Sequence, residues 1–123
     1  MNWGKTVEKT EQPGGNPRKY TRLIAGREVL FDKEDFLWQA DDWSEEVATA
    51  LAKESGLALL AEDHWRVIRF LREFYYNNGR APLNRQLTKG TALSLLQIEK
   101  LFPGGIKYGA RRIAGLPNPK NCL

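Results

Sequence analysis

Glu62-Asp63-His64-Trp65-Arg66-Val67-Ile68-Arg69-Phe70-Leu71-Arg72-Glu73-Phe74-Tyr75-Tyr76-Asn77-Asn78-Gly79 is the stretch that decides the fold. It opens on two acids, which suit the positive end of a helix dipole, and closes on Asn78-Gly79, which suits a left-handed helix end. Between them Trp65, Ile68, Leu71 and Tyr75 recur at helical spacing as one stripe, and Val67, Phe70 and Phe74 widen it. The pattern predicts a helix from about Glu62 to Asn77. An apolar face this wide must be covered from several directions, which makes it the central helix of a bundle.

Working backwards, Asp42 reads as an N-cap with Glu45 three residues on and Glu46 adding a second anion to the first turn. Val47, Ala48, Leu51 and Ala52 follow at helical spacing, and Ser55-Gly56 stops the helix. Further upstream, Leu23-Ile24 and Val29-Leu30-Phe31 are β-type runs around Ala25-Gly26, which predicts a hairpin. A polar turn, Asp32 to Asp35, leads on to Phe36-Leu37-Trp38. Residues 1–20 are rich in Gly, Pro, Asn and charge, too polar to offset the entropy of ordering, and read as a flexible extension.

Working forwards, Arg80-Ala81-Pro82 starts a short helix that runs to Gly90. A further helix is predicted from Thr91, carrying Leu93, Leu95, Leu96, Ile98 and Leu101 and ending before Pro103-Gly104-Gly105. A last one runs from Ile106 to Ala114 and stops at Gly115. The expected fold is therefore mainly α. It is an orthogonal bundle of about five helices with a small N-terminal β-hairpin and an extended C-terminal arm. Residues 21–115 form the domain and 116–123 the arm.

The 123 residues suffice for one domain with a hydrophobic core. No run approaches the roughly 18 apolar residues of a membrane span, and the first residues carry no apolar signal stretch. A single cysteine forms no internal disulfide, so a cytoplasmic location is expected. The net charge of +4 is unevenly spread. Residues 28–63 hold eleven acids and two bases, whereas from Lys100 onward there are five bases and no acid. Such a bipolar chain can steer its basic end toward an acidic partner or RNA, or the tail is simply a solvated basic surface.

Conventional catalytic sets are missing. There is no phosphate loop, dinucleotide fingerprint or CxxC pair, and one His with one Cys does not make a tetrahedral zinc site, so neither cofactor nor metal is expected. His64, in the first turn of the central helix, reads as a packed or capping residue, because a helix N-terminus disfavours its cation. The acids at 41–46 and 62–63 read as helix-start charges.

Cys122 stands apart through its position. A lone cytosolic cysteine is usually a small buried hydrophobe. This one is penultimate, beyond Pro117 and Pro119, in a polar segment poorly suited to burying sulfur. From Gly115 the extended chain would carry it roughly 23–25 Å, with the prolines biasing it toward a stiff polyproline form. The thiolate is the reactive species, and Lys107, Arg111, Arg112 and Lys120 would favour it if the tail folds back, against the chain-terminal carboxylate. A second candidate is Ala81 to Phe102, where two short helices around Thr88-Lys89-Gly90-Thr91 suggest a helix-turn-helix, with Arg80, Arg85 and Lys89 nearby. Its second helix offers mostly apolar side chains and only Lys100 as a base, so core packing accounts for it better than base reading. The nucleic-acid alternative predicts salt-dependent DNA binding weakened by Arg85→Ala and indifferent to Cys122.

Several stretches together are familiar: Trp43-Ser44-Glu45, Asp63-His64-Trp65-Arg66-Val67-Ile68-Arg69-Phe70 with Phe74-Tyr75, Arg80-Ala81-Pro82, Leu101-Phe102-Pro103-Gly104-Gly105, and above all Ile113-Ala114-Gly115-Leu116-Pro117-Asn118-Pro119-Lys120-Asn121-Cys122-Leu123. On these residues, from about Leu23 to Leu123, the chain resembles the TusE/DsrC family of sulfur-relay proteins, which includes the gamma subunit associated with dissimilatory sulfite reductase. The resemblance implies a helical bundle with an N-terminal hairpin. It also implies a persulfide on Cys122, loaded by an upstream sulfur-donor protein and passed to a downstream acceptor enzyme. Family members that work with dissimilatory sulfite reductase carry a second arm cysteine eleven residues before the penultimate one, and here that position is Arg111. What remains is a single-thiol relay, as in the branch serving tRNA 2-thiouridine synthesis, or else a single-cysteine partner in sulfur oxidation or sulfite reduction. Arg111 would then help to hold a thiolate or persulfide, or pair with an acid of a partner.

Overall fold

The computed structural model describes residues 18–119. The extension up to Pro17, and Lys120 and Cys122 in the arm, lie outside the described residues.

Strand β1 (Lys19–Ile24) pairs antiparallel with β2 (Arg27–Asp32) in a register that places Ile24 opposite Arg27 and Tyr20 opposite Phe31. Only Ala25 and Gly26 separate the strands. Both have positive φ, +52° and +78°, the two-residue geometry whose twist matches that of paired strands. Tyr20, Ile24, Val29 and Phe31 are turned into the core. The polar turn after β2 is held by Asp32, whose Oδ1 accepts from the amides of Glu34 and Phe36, both at 2.9 Å. The chain then lies back along β2, with the Trp38 amide donating to Leu30 O at 2.9 Å and Leu37 bridging to Phe31.

Helix α1 (Glu45–Glu54) starts later than Asp42 predicts. Asp42 closes a short 3-10 turn, Ala40–Asp42, and the cap is Ser44, whose Oγ accepts from the Val47 amide at 3.1 Å. Asp42 and Ser44, two residues apart, are both good capping types, and the extended backbone at Ser44 decided between the frames.

Helix α2 (Glu62–Asn78) is the central element, with His64, Val67, Ile68 and Leu71 buried and Trp65, Phe70 and Tyr75 packed half-buried on the same core. His64 is structural, as its position suggested. Its Nδ1 accepts from the Ala61 amide at 3.0 Å, so Nε2 carries the hydrogen and donates to Leu101 O at 2.8 Å. Its ring also meets the edge of Phe102 at 5.1 Å.

Helix α3 (Asn84–Thr91) ends where the sequence placed the start of the next helix. Ala92 turns left-handed at φ +61°, and α4 (Leu95–Leu101) begins after Ser94, whose Oγ accepts from the Gln97 amide while Gln97 accepts from the Ser94 amide. The apolar spacing ran unbroken from Leu93 through this turn, which concealed it. Leu87, Leu93, Ile98 and Phe102 are buried, so this helix pair packs as part of the bundle. The last helix, α5 (Ile106–Arg111), is wound as a π-helix and continues as one α-turn through Ile113. The described residues thus form five helices and a two-stranded hairpin around one core.

Candidate functional site

The residues that carry the cysteine arm form the site the structure shows best. The wide coil of α5 is visible in its hydrogen bonds: the Ala110 amide reaches back five residues to Gly105 O at 3.0 Å, and the Leu116 amide does the same to Arg111 O at 3.1 Å. This second bond turns the chain out of the helix and starts the arm from the turn that Arg111 itself forms. Gly115 sits in that turn at φ +79°, and a Cβ there would stand 2.4 Å from Trp43 Cδ1. Glycine is required both for the backbone angle and for the indole pressed against it.

Trp43 Nε1 donates to Ile113 O at 2.9 Å. Its ring carries the Arg72 guanidinium at 4.1 Å, and that guanidinium donates to Ala114 O (2.9 Å), Ala40 O (3.2 Å) and Tyr76 Oη (2.9 Å). Beyond the turn the arm does not leave the domain at once. Leu116 and Asn118 are both buried, and Asn118 Nδ2 donates to Glu34 Oε1 at 2.7 Å. The arm is therefore held against the domain at least as far as Asn118. Proline blocks helix, but it does not prevent docking.

The basic residues named from sequence are not gathered in one place. Arg112 is directed toward the hairpin and the end of α1, donating from Nε to Tyr108 O (3.0 Å), from Nη1 to Asp35 O (3.4 Å) and from Nη2 to Ser55 Oγ (2.8 Å). Burial lowers its proton affinity, and Asp35 and Glu54 act against that. Arg111 points elsewhere, to the α2–α3 connection, where Nη2 reaches Pro82 O at 3.4 Å. Among the described residues its Nε is buried with no hydrogen-bond partner, and burial lowers its proton affinity. Lys107 is half-buried with Nζ 5.1 Å from the Tyr108 ring. Lys120 and Cys122 lie outside the described residues.

Sequence reasoning missed Trp43, Arg72, Gly115 and Asn118 as supports of the arm. Gly115 was legible as a stop signal. Arg72 gave no sign, because an arginine on the flank of a helix reads as solvated surface. Among the described residues no cluster of His, Cys, Asp and Glu could hold a metal ion, and no helix is long and apolar enough to cross a membrane. A groove of about 470 Å³ lies elsewhere, lined by Ala25, Glu45, Glu46, Thr49, Ala50, Lys53 and Trp65.

Residues 23–123 match the family model described as DsrC like protein. The chain is 37% identical to the sulfite reductase, dissimilatory-type subunit gamma, of Nitratidesulfovibrio vulgaris, over 80% of this chain and 93% of that one. It is 38% identical to the sulfurtransferase TusE of Salmonella choleraesuis, over 82% of this chain and 98% of that one. Among solved structures, the oxidized gamma subunit of the dissimilatory sulfite reductase from Archaeoglobus fulgidus superposes with a TM-score of 0.73 at 38% identity, covering 85% of this chain and all of that one.

Proposed function

The chain belongs to the DsrC-like protein family, and from that premise we propose that it is a sulfur carrier: Cys122 accepts a sulfane sulfur as a persulfide and hands it to an acceptor enzyme. The observation that carries the reading is the built foundation of the arm, in which Trp43, Arg72 and Gly115 fix the turn from which the segment bearing the chain's one cysteine departs. A fixed root for the cysteine-bearing segment suits delivery of a small atom into a neighbour's pocket.

The chemistry needs only thiolates. The Cys122 thiolate attacks the outer sulfur of a donor persulfide; the new bond joins Cys122 Sγ to that sulfur, the donor's S–S bond breaks, and the donor sulfur leaves as a thiolate. The hydrogen stays on the transferred sulfur or is lost to water, with no net oxidation. Delivery repeats the exchange in the other direction. With a single thiol the chain forms no internal disulfide, so any reductant or oxidant acts on its partners. This favours a relay of the TusE type, toward tRNA thiolation in the cytoplasm, with a tRNA-thiolating enzyme as acceptor. The gamma-subunit relative supports a second reading, a sulfite-reductase-type complex as the acceptor. Direct nucleic-acid binding is not part of the proposal.

Incubation with a persulfide donor is expected to add one sulfur atom by mass spectrometry, removable by dithiothreitol and abolished by Cys122→Ser. A wild-type chain that stays unmodified across several competent donors would overturn the reading. Direct binding to purified tRNA-thiolating enzyme against sulfite-reductase complex decides between the two acceptors.

A further inference from the structure

We propose that the groove across the outward side of α1 is a docking site for a segment of a partner protein that presents an arginine or lysine beside an apolar side chain. The groove's chemistry stands on geometry; that the partner is a donor or acceptor of sulfur rests on the carrier reading.

Three elements meet at this groove of about 470 Å³: the hairpin turn at Ala25, the side of α1 that carries Glu45, Glu46, Thr49, Ala50 and Lys53, and Trp65 in the first turn of α2. On α1 these residues lie opposite the buried Val47, Ala48, Leu51 and Ala52, so the groove runs along the side turned away from the core. Its charges are ordered. Glu45 and Glu46 occupy the first turn of α1 and Lys53 the last, roughly 10–12 Å apart at the helical rise. All three are exposed. Among the described residues the ion pairs join Arg22 to Asp35 and Glu54, and none engages Glu45, Glu46 or Lys53. Glu28, Glu62 and Asp63, each within three residues of the lining, add negative charge around it. The cations nearby are Arg27, which donates to Asp42 O at 3.2 Å, and Arg69, 6.0 Å from the Trp65 ring.

Between the charges the surface is apolar, with Ala50 and Trp65 half-buried. Carboxylates next to an indole suit a cation on a hydrocarbon stem, which lays its methylenes on the ring and its charge against the acids. A nucleic-acid phosphate would be repelled by the same carboxylates. Among the described residues no group of His, Cys, Asp and Glu here could hold a metal ion. The groove also adjoins the root of the arm. Ser44 alone separates Glu45 from Trp43, which packs against Gly115 and donates to Ile113 O at 2.9 Å. A protein held in the groove is thereby held beside the turn from which the cysteine-bearing segment departs.

The test uses the full chain, labelled with nitrogen-15, and two capped eleven-residue peptides. One carries an arginine at its second position, leucines at its fifth and sixth and a glutamate at its ninth on an alanine background; the other has citrulline, the neutral isostere, in place of arginine. The arginine peptide is expected to move the Trp65 indole signal, identified with Trp65→Phe, with a dissociation constant of about a millimolar. The citrulline peptide should bind about fivefold more weakly, and so should the arginine peptide to a chain carrying Glu45→Gln and Glu46→Gln. Arg112→Gln should leave binding unchanged. Should the double variant not fold, the two single variants carry the same comparison. An indole signal that stays still, or one that responds equally to both peptides or ignores loss of the two carboxylates, overturns the proposal. The readout needs neither a sulfur donor nor the thiol, so its failure is separate from any failure of sulfur loading.

Discussion

Arg111 and Arg112 are joined by one peptide bond on the same wide helical turn, yet they lie in opposite surroundings. Arg112 ties α5 to the hairpin turn and to the end of α1 through three acceptors, with two carboxylates nearby. Arg111 faces the α2–α3 connection, and among the described residues it has one long contact and a buried donor without an acceptor. The Arg112 side of the helix fastens the arm's root to the domain through several acceptors, and among the described residues the Arg111 side does so through one.

The fastened face breaks most completely at Gly115. Gly115→Ala places a methyl on Trp43 at a backbone angle that alanine resists, and a loss of about 3 kcal/mol or more is expected in urea denaturation. Arg72→Met comes next. It removes two carbonyl contacts and the indole stack while keeping an apolar stem, for an expected loss of about 2 kcal/mol. Neither change should alter the chemistry of a thiol in the same chain, so sulfur loading per folded molecule should persist; its disappearance in both would tie the root directly to reactivity.

The two arginines themselves supply the sharper comparison. Arg112→Gln should cost about 1–2 kcal/mol, discounted because the group is only partly buried. Arg111→Gln should stay within about 0.5 kcal/mol of wild type, since it removes a desolvated charge that little compensates. They share no hydrogen-bond partner, so the double variant is expected to be additive within about 0.5 kcal/mol. Equal losses at both positions would mean that the Arg111 side is a support after all.

Much of this architecture could be read from residues alone, and the reasons differ by element. The central helix was legible because its stripe has one period and its ends carry plain start and stop signals; the observed Glu62–Asn78 differs from the expected span by a single residue. The hairpin was legible from two β-type runs around Ala25-Gly26. The starts of α1 and α4 were misplaced because two capping frames, at Asp42 and Ser44, and one unbroken apolar run, from Leu93 on, satisfied the same patterns. The π-winding of α5 had no local signature, since it depends on what packs around Gly105 to Arg111. The cysteine stood out by position and by the family's C-terminal motif, whereas the division of labour between Arg111 and Arg112 is a matter of rotamer and neighbours that composition does not carry.

The smallest expected effect lies at the outer limit of the fastened face. Asn118 is buried and its side chain donates to Glu34, so it holds the arm's first residues down after Gly115 has turned them. Asn118→Ala deletes the hydrogen bond to the charged Glu34 acceptor in a partly buried setting, and a global loss of about 1 kcal/mol is expected. The local consequence should be larger than the global one. The Leu116 amide, bonded to the Arg111 carbonyl, should exchange faster in native-state hydrogen exchange, while amides in α2 keep their protection. If Leu116 is as protected in the variant as in the wild type, the buried Leu116 side chain, and not Asn118, fastens the start of the arm.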